Sequence, residues 1–433
     1  MEKAATPPHY PVIVIGGGQA GLSVSHYLMQ QGIAHLVIEK RETGHAWANE
    51  RWDSFCLVTP NWQCQLPDFP YPGPDPDGFM LRDEIVAYVQ AYRDKVHPPL
   101  LEHTAVTALT RQPDGPFELA TERGPFTADA VVVAISGYHL PVIPRIAERL
   151  PRSIHQLHSR DYKNPDALPE GAVLVVGSGQ SGCQIAEDLH LAGRKVYLCV
   201  GRAPKSPRRY RGRDAIAWLH DMGYYDVPVE QHPLKEGVRK NANHYLTGRD
   251  GGREIDLRRF ATEGMELYGR LLEIDGSSLR LGTDLKANLD AADKVAEGIK
   301  SVIDKHIAEK GIDAPSEPPY RPVWQPTIER DALDLEEAGI NSVVWATGFR
   351  SDFSFVRLPV FDGTGYPTHR RGMSAMPGLA FIGLPWLHSW GSGRFAGIAR
   401  DAGFIVEQLA AWLATGASSR QGRTLNGAGA AHV

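Results

Sequence analysis

Two glycine-rich turns, each set directly after a run of apolar residues, constrain this chain more than any other feature. The first is Gly16-Gly17-Gly18-Gln19-Ala20-Gly21, after Val12-Ile13-Val14-Ile15. The second is Gly177-Ser178-Gly179-Gln180-Ser181-Gly182, after Val173-Leu174-Val175-Val176. In a strand-turn-helix unit of this kind the first glycine makes the tight turn. The second lets backbone approach a pyrophosphate, and the third lets the helix pack closely on the sheet. The helix N-terminus then offers N–H groups and a positive dipole end to the phosphates. Residues 22–31 and 183–192 read as the two helices, ending near Gly32 and Gly193. Either turn alone could be an ordinary glycine turn. Two in series point to a protein that holds two dinucleotides, with electrons passing from a nicotinamide to a flavin.

The strands that follow end differently. Leu36-Val37-Ile38 ends in Glu39-Lys40, with Glu39 18 residues beyond Gly21. A carboxylate there accepts hydrogen bonds from a ribose diol and repels a 2′-phosphate, which suits FAD or NAD. The later strand, residues 196–200, ends at Gly201-Arg202, followed by Lys205, Arg208 and Arg209. Cations in that place suit the 2′-phosphate of NADPH. The alternative is a solvated basic loop.

Composition excludes several classes. The formal net charge of −5 over 433 residues gives no reason to expect nucleic-acid binding. No signal peptide and no apolar run of bilayer length is read, so a cytoplasmic protein is expected. The cysteines, Cys56, Cys64, Cys183 and Cys199, contain no Cys-x-x-Cys pair. That argues against a flavin-dithiol reductase. The 17 histidines show no metal-ligand spacing, so no metal is expected.

The expected fold is α/β, with two Rossmann-like dinucleotide-binding domains of the flavin-disulfide-reductase/monooxygenase type and an inserted helical segment. The FAD domain is assigned to residues 1–165 and 340–418, and the NADPH domain to 166–339. The helical insertion covers about 209–330, and 419–433 is expected to be a disordered tail. Residues 82–94 read as a helix with Ile85, Val86, Tyr88, Val89 and Tyr92 on its apolar face, and 104–119 as a small β-meander. Two strands, 130–134 and 342–346, run into Ser136-Gly137 and Thr347-Gly348, where the chain would cross between domains. The insertion is the expected place for substrate or subunit contacts, including those of a homodimer.

In this order the motifs resemble the flavin-containing monooxygenases, over residues 10–413, and most nearly the bacterial and plant indole-3-pyruvate monooxygenase branch. Trp47, Leu57, Pro60, Cys64, Leu66-Pro67 and Phe69-Pro70 carry that likeness, with His158-Ser159-Arg160-Asp161-Tyr162-Lys163 and Ala346-Thr347-Gly348-Phe349. Wording up to Pro70 is also similar to a bacterial subgroup found in nitrilase gene clusters. The resemblance implies FAD and NADPH as cofactors and O2 and a small molecule as co-substrates. It implies oxygen transfer from a flavin C4a-hydroperoxide, to nitrogen in preference to sulfur. It also places Trp47, Val106, Ala134, Gly137, Thr347, Gly348 and Arg394 against the cofactors. The family's linker begins with Phe and Gly where this chain has Arg152 and Ile154, and its flavin-side asparagine aligns with Val58. Catalytic candidates are therefore Thr59, Asn61, Gln63 and His388, each of which could equally be packing. Trp62, with Gln63, could roof the flavin ring. The rival is an FAD-dependent NAD(P)H oxidoreductase serving another acceptor, and a non-enzymatic nucleotide sensor is a further alternative.

Overall fold

The computed structural model describes residues 6–113 and 115–426. Its first sheet is built from short, β-branched strands buried on both faces, as parallel strands covered by helices must be. His9–Ile15 lies between His35–Ile38 and Phe126–Val133, parallel to both. Leu100–Leu101 extends one side and Leu379–Phe381 the other. The expected meander is an antiparallel pair, Val106–Arg111 and Phe117–Thr121, attached to Phe126–Val133. Helix Gln19–Gln30 packs on this sheet beside the long C-terminal helix Phe395–Asn426. Helix Arg82–Val96 turns Ile85, Tyr88, Val89, Tyr92 and Val96 into the same core.

The second sheet is a five-stranded parallel one in the order His155–His158, Ile340–Trp345, Ala172–Val176, Val196–Cys199, Glu266–Tyr268. Two expected domain boundaries therefore move. Strands His155–His158 and Ile340–Trp345 were assigned to the first domain, but their hydrogen bonds go to the second sheet. The two crossing segments also pair with each other, Leu140–Pro141 against Phe349–Arg350.

The insertion is not purely helical. It supplies the edge strand Glu266–Tyr268 and most of a three-stranded antiparallel sheet, Leu271–Asp275, Ser278–Leu281 and Ala332–Asp334. Its long helix, Leu285–Lys310, ends at Gly311 in the left-handed conformation. The C-terminal helix continues through 419–426, where a disordered tail was expected, and 427–433 lie outside the described residues. Among the described residues no helix is long and apolar enough to cross a membrane.

Candidate functional site: two dinucleotide cradles and the cleft beside them

The two glycine turns have one geometry. Gly16 and Gly177 have φ of +113° and +107°, and a Cβ on either would lie 2.6 Å from a carbonyl oxygen, of Ala134 and Ala346 respectively. Gly21 and Gly182 sit where a Cβ would come within 1.8 Å of the Gly16 and Gly177 carbonyl oxygens. Only glycine lets these helices start so close to the turn. Gly18 and Gly179 are the opposite case. A Cβ on either would meet nothing within 4 Å. That open space lies directly before Gln19–Gln30 and Gln180–Leu191, whose first turns have no side-chain cap. Uncapped N–H groups facing open space are a ready anion site. A dinucleotide's pyrophosphate fits both cradles.

Each cradle is braced by the glutamine after its second glycine. Gln19 Nε2 donates to the Gly393 carbonyl at 3.1 Å, tying the first turn to the loop before the C-terminal helix. Gln180 Nε2 donates to the Leu246 carbonyl at 2.6 Å. Ala20 is buried and Ser181 half-buried behind them.

Glu39 stands at the end of its strand, beside the first cradle. Its Oε2 accepts from the Gly17 N–H at 2.6 Å and its Oε1 from the Arg41 N–H at 2.9 Å. The carboxylate is thus oriented by backbone, with lone pairs to spare. Lys40 points outward and is exposed. At the second cradle Arg202 is exposed and forms no ion pair with any described residue. Lys205 is a correction. It is buried, 3.3 Å from Glu254 and 4.0 Å from both Asp256 and Asp293, with its ammonium over the Tyr320 ring. Three carboxylates already neutralise it, so it has no charge to offer a 2′-phosphate. Arg208 is likewise buried and spoken for, donating to Asp214 and to the Val58 carbonyl. Of the basic run only Arg202 and Arg209 remain exposed.

The catalytic candidates scatter. Asn61 is a brace: its Nδ2 donates to the Asp75 carbonyl at 2.9 Å and its Oδ1 accepts from the Met80 N–H at 2.8 Å. With both ends of the amide used on backbone, it is corrected to a structural residue. Trp62 does not roof the first cradle. It meets His220 edge-on at 4.8 Å and lines a cleft of about 440 Å³ against the insertion, with Arg209, Arg213 and Asp214. Thr59 and Gln63 are buried beside it in the chain, and Gln63 Oε1 has no partner. His388 is half-buried, with the Arg371 and Arg400 guanidinium groups nearby, and its Nδ1 is buried without a hydrogen-bond partner. Burial, then the neighbouring guanidinium groups, push its imidazole below the ordinary range.

The linker residues are structural. His158 Nδ1 accepts from the Arg160 N–H at 3.1 Å, so its Nε2 is the donor to the Gly348 carbonyl at 3.0 Å. Tyr162 is fully buried and donates to Asp188 at 2.7 Å. Thr347 donates to the Val142 carbonyl, which locks the two crossings together. Val106 begins its strand half-buried, and Ala134 is buried against Gly16. A Cβ on Gly137 would lie 3.1 Å from Ser351 Oγ.

Sequence reasoning missed Asp188, and it named Trp47 and Arg394 without the neighbours the structure gives them. Asp188 is a hub between the domains, accepting from Ser54 at 2.5 Å, Tyr162 at 2.7 Å and Arg249 at 2.6 Å. Trp47 stacks on Phe395 at 6.0 Å and carries the Arg51 guanidinium over its face at 5.2 Å. Arg51 and Arg394 both lie close enough to Tyr138 to be influenced by its hydroxyl, and burial pushes both guanidinium groups down. All four thiols are free and buried. Burial pushes Cys56 up to about 11 and Cys64 and Cys199 to about 12, and raises Cys183 well above its ordinary value.

With both cradles in place, the likeness to known proteins can be judged. The family profile of the pyridine nucleotide-disulphide oxidoreductases matches residues 13–220. An "uncharacterized oxidoreductase CzcO-like" of Geobacillus kaustophilus is 31% identical over 92% of this chain and 97% of its own length. The chain belongs to the pyridine nucleotide-disulphide oxidoreductase family, with CzcO-like oxidoreductases as relatives. A "flavin-containing monooxygenase 3" of Macaca mulatta is 32% identical, over 43% of this chain and 39% of its own. Among solved structures, the flavin-containing monooxygenase from Stenotrophomonas maltophilia superposes with a TM-score of 0.64. It is 19% identical and covers 94% of this chain and 99% of its own, a likeness of fold. The α/β fold with two Rossmann-like sheets is shared with these structures; a further one of like fold, OTEMO, was solved in complex with FAD and NADP, and this chain is an oxidoreductase.

Proposed function

We propose that this oxidoreductase is an FAD-dependent, NADPH-consuming monooxygenase that transfers one oxygen atom of O2 to a small soft nucleophile, nitrogen in preference to sulfur. The observation that carries the reading is the pair of matched cradles in a chain whose four thiols are all buried and poorly ionised. Electrons arriving through two dinucleotides need an acceptor. The alternative named by the family, a disulfide exchanged with a chain dithiol, needs a reactive thiolate, and burial suppresses all four.

Gly18 and the first turn of Gln19–Gln30 would hold the FAD pyrophosphate, and Glu39 the adenosine ribose. Gly179, the first turn of Gln180–Leu191 and Arg202 would hold NADPH. When bound, the two cofactors supply hydride and the activation of O2. The chain's own work is orientation and exclusion of water. The Asp188 hub and the paired crossings would hold the two cradles in one fixed relation, and Phe395, with Trp47 stacked on it, belongs to the same apolar core as Ala20 of the first turn. The preference for nitrogen rests on the resemblance of residues up to Pro70. His158 and Tyr162 add nothing to the choice of O2 as acceptor, because both are consumed in holding the linker.

The test is NADPH oxidation under ¹⁸O2 with a panel of primary amines, hydroxylamines and thioethers. Stimulated NADPH and O2 consumption with label in the product supports the reading. Rapid NADPH oxidation with dithiol or protein acceptors, and no labelled product, would put the reductase reading in its place.

A further inference from the structure

The cleft of about 440 Å³ beside Trp62 is formed by two segments far apart in the chain. One wall is the loop of Pro60, Trp62 and Asp77. The other is the hairpin of residues 209–214, with the short helix Ala215–Asp221 that follows it. Both walls are fixed. The Asn61 amide joins the backbone of Asp75 and Met80, and the Trp62 N–H donates to the Pro76 carbonyl at 2.8 Å. The hairpin closes by pairing Arg209 with Asp214, whose carboxylate caps the helix by accepting from the Ile216 N–H at 2.7 Å. Buried Arg208 donates to the Val58 carbonyl at 2.8 Å and ties one wall to the other. Trp62 and His220 meet edge-on across the cleft.

The carboxylates and guanidinium groups of the cleft are paired, apart from two. Asp214 is neutralised by Arg208, and Asp221 by Arg213. Asp77 on one wall and Arg209 on the other remain, both exposed and neither in an ion pair with any described residue. Arg209 uses one N–H on the Gly251 carbonyl at 3.1 Å, which steadies the guanidinium and leaves its other donors for a ligand. One exposed charge without a partner is ordinary. An acceptor-only group and a donor-only group on opposite walls of a rigid cleft, with an indole between them, match a ligand that carries both signs. A ligand of one sign leaves the other wall unmatched. The cleft is also separate from the cradles, because no residue of either glycine turn lines it. The helix Ala215–Asp221 packs Ile216 and Leu219 with Val58, Leu246 and Trp390, and it is the Leu246 carbonyl that Gln180 of the second turn holds.

We propose that this cleft is a second ligand site, for a small organic zwitterion with an aromatic body, an aromatic α-amino acid in its simplest form. Arg209 takes the carboxylate, Asp77 the ammonium, and Trp62 packs against the body. The binding rests neither on the oxygenase reading nor on a bound dinucleotide.

The experiment is calorimetric titration of the full-length protein, as purified, with L-phenylalanine, hydrocinnamate and phenethylamine. The second lacks the ammonium and the third lacks the carboxylate. Phenylalanine should bind about fivefold tighter than either, the upper end of what one exposed charge pair supplies. Asp77→Asn should bring phenylalanine down to the level of hydrocinnamate and leave hydrocinnamate itself unchanged. Arg209→Gln should bring it down to the level of phenethylamine and leave that amine unchanged. Both side chains are exposed, so neither variant threatens the fold, and Trp62→Leu should weaken all three ligands alike. Equal binding of the three, no measurable binding of phenylalanine at millimolar concentration, or a preference that survives both charge variants overturns the proposal. So does loss of phenylalanine binding when the protein is saturated with NADPH, which would place the amino acid in a cradle. Because the titration needs no turnover, failure of the oxygenase reading shows in the ¹⁸O assay while the binding preference stands.

Discussion

The two cradles share a backbone and differ in what surrounds it. Gly16, Gly18 and Gly21 repeat in Gly177, Gly179 and Gly182 with the same close approaches and the same open space. Recognition of the pyrophosphate is thus a property of main chain and helix start. On the proposed reading selectivity lies at the end of the next strand, where Glu39 is fixed by two backbone N–H groups and Arg202 forms no ion pair with any described residue. The helices differ as well. The buried face of Gln19–Gln30 is apolar apart from two serines, whereas Gln180–Leu191 buries Glu187 and Asp188. The second unit spends that polar face on holding the loop around Ser54 and the linker at Tyr162. On the proposed reading one cradle is a nucleotide site alone, while the other also anchors the domain arrangement through Asp188.

This contrast can be broken at several points. The largest effect is expected where the third glycine is filled. Gly21→Val and Gly182→Val each drive a side chain into a carbonyl oxygen, at a cost of about 3 kcal/mol or more. The first should purify without flavin, and the second should keep flavin but resist reduction by NADPH. Absorbance spectra of the two proteins check this. By contrast Gly18→Val, with open space around it, should fold normally and be colourless, as circular dichroism and absorbance would show.

Asp188→Ala comes next. It strands the Arg249 guanidinium and the Tyr162 hydroxyl and should cost about 3 kcal/mol in urea unfolding. An unchanged midpoint would mean the domains are held by other contacts.

Arg202→Ala should weaken NADPH binding by on the order of 1.5–3 kcal/mol and leave NADH nearly untouched. Lys205→Ala should do the reverse of this in kind. It leaves Glu254, Asp256 and Asp293 without their cation, so it should lower thermal stability and affect both coenzymes alike. Coenzyme titrations of both variants decide which cation reads the 2′-phosphate.

The smallest effect is a pH dependence. Burial raises the Glu187 carboxyl from 4.5 to about 6, against the opposing pull of Arg253. The native state therefore keeps a proton that the unfolded chain has already lost. Stability should fall by roughly 2 kcal/mol as pH rises from about 4.5 to beyond 6, and Glu187→Gln should flatten that part of the curve.

Both cradles were legible in the sequence because a glycine turn is local. Its three constraints act within six residues, and flanking β-branched strands announce it. Glu39 could be placed by counting along one βαβ unit. The strands at the domain crossing could not, because His155–His158 and Ile340–Trp345 become neighbours only when the second sheet assembles. Lys205 misled for a similar reason. A basic run in sequence does not show that Glu254, Asp256 and Asp293, 49 to 88 residues later, fold back onto one of its members. Asn61 looked like a polar candidate beside a flavin loop, yet its partners are the backbone of Asp75 and Met80. The Asp188 hub carries no local pattern at all: it is defined by what packs around it from distant segments.

The most direct test of the central claim, an FAD cradle and an NADPH cradle in one fixed frame, is anaerobic reduction of the purified yellow protein by NADPH and by NADH at equal concentration. The account predicts non-covalent FAD, one per chain, bleached by NADPH at concentrations where NADH leaves it oxidised, with Arg202→Ala abolishing that difference. A protein that takes up no FAD, or FAD reduced equally well by both coenzymes whether or not Arg202 is present, would contradict it.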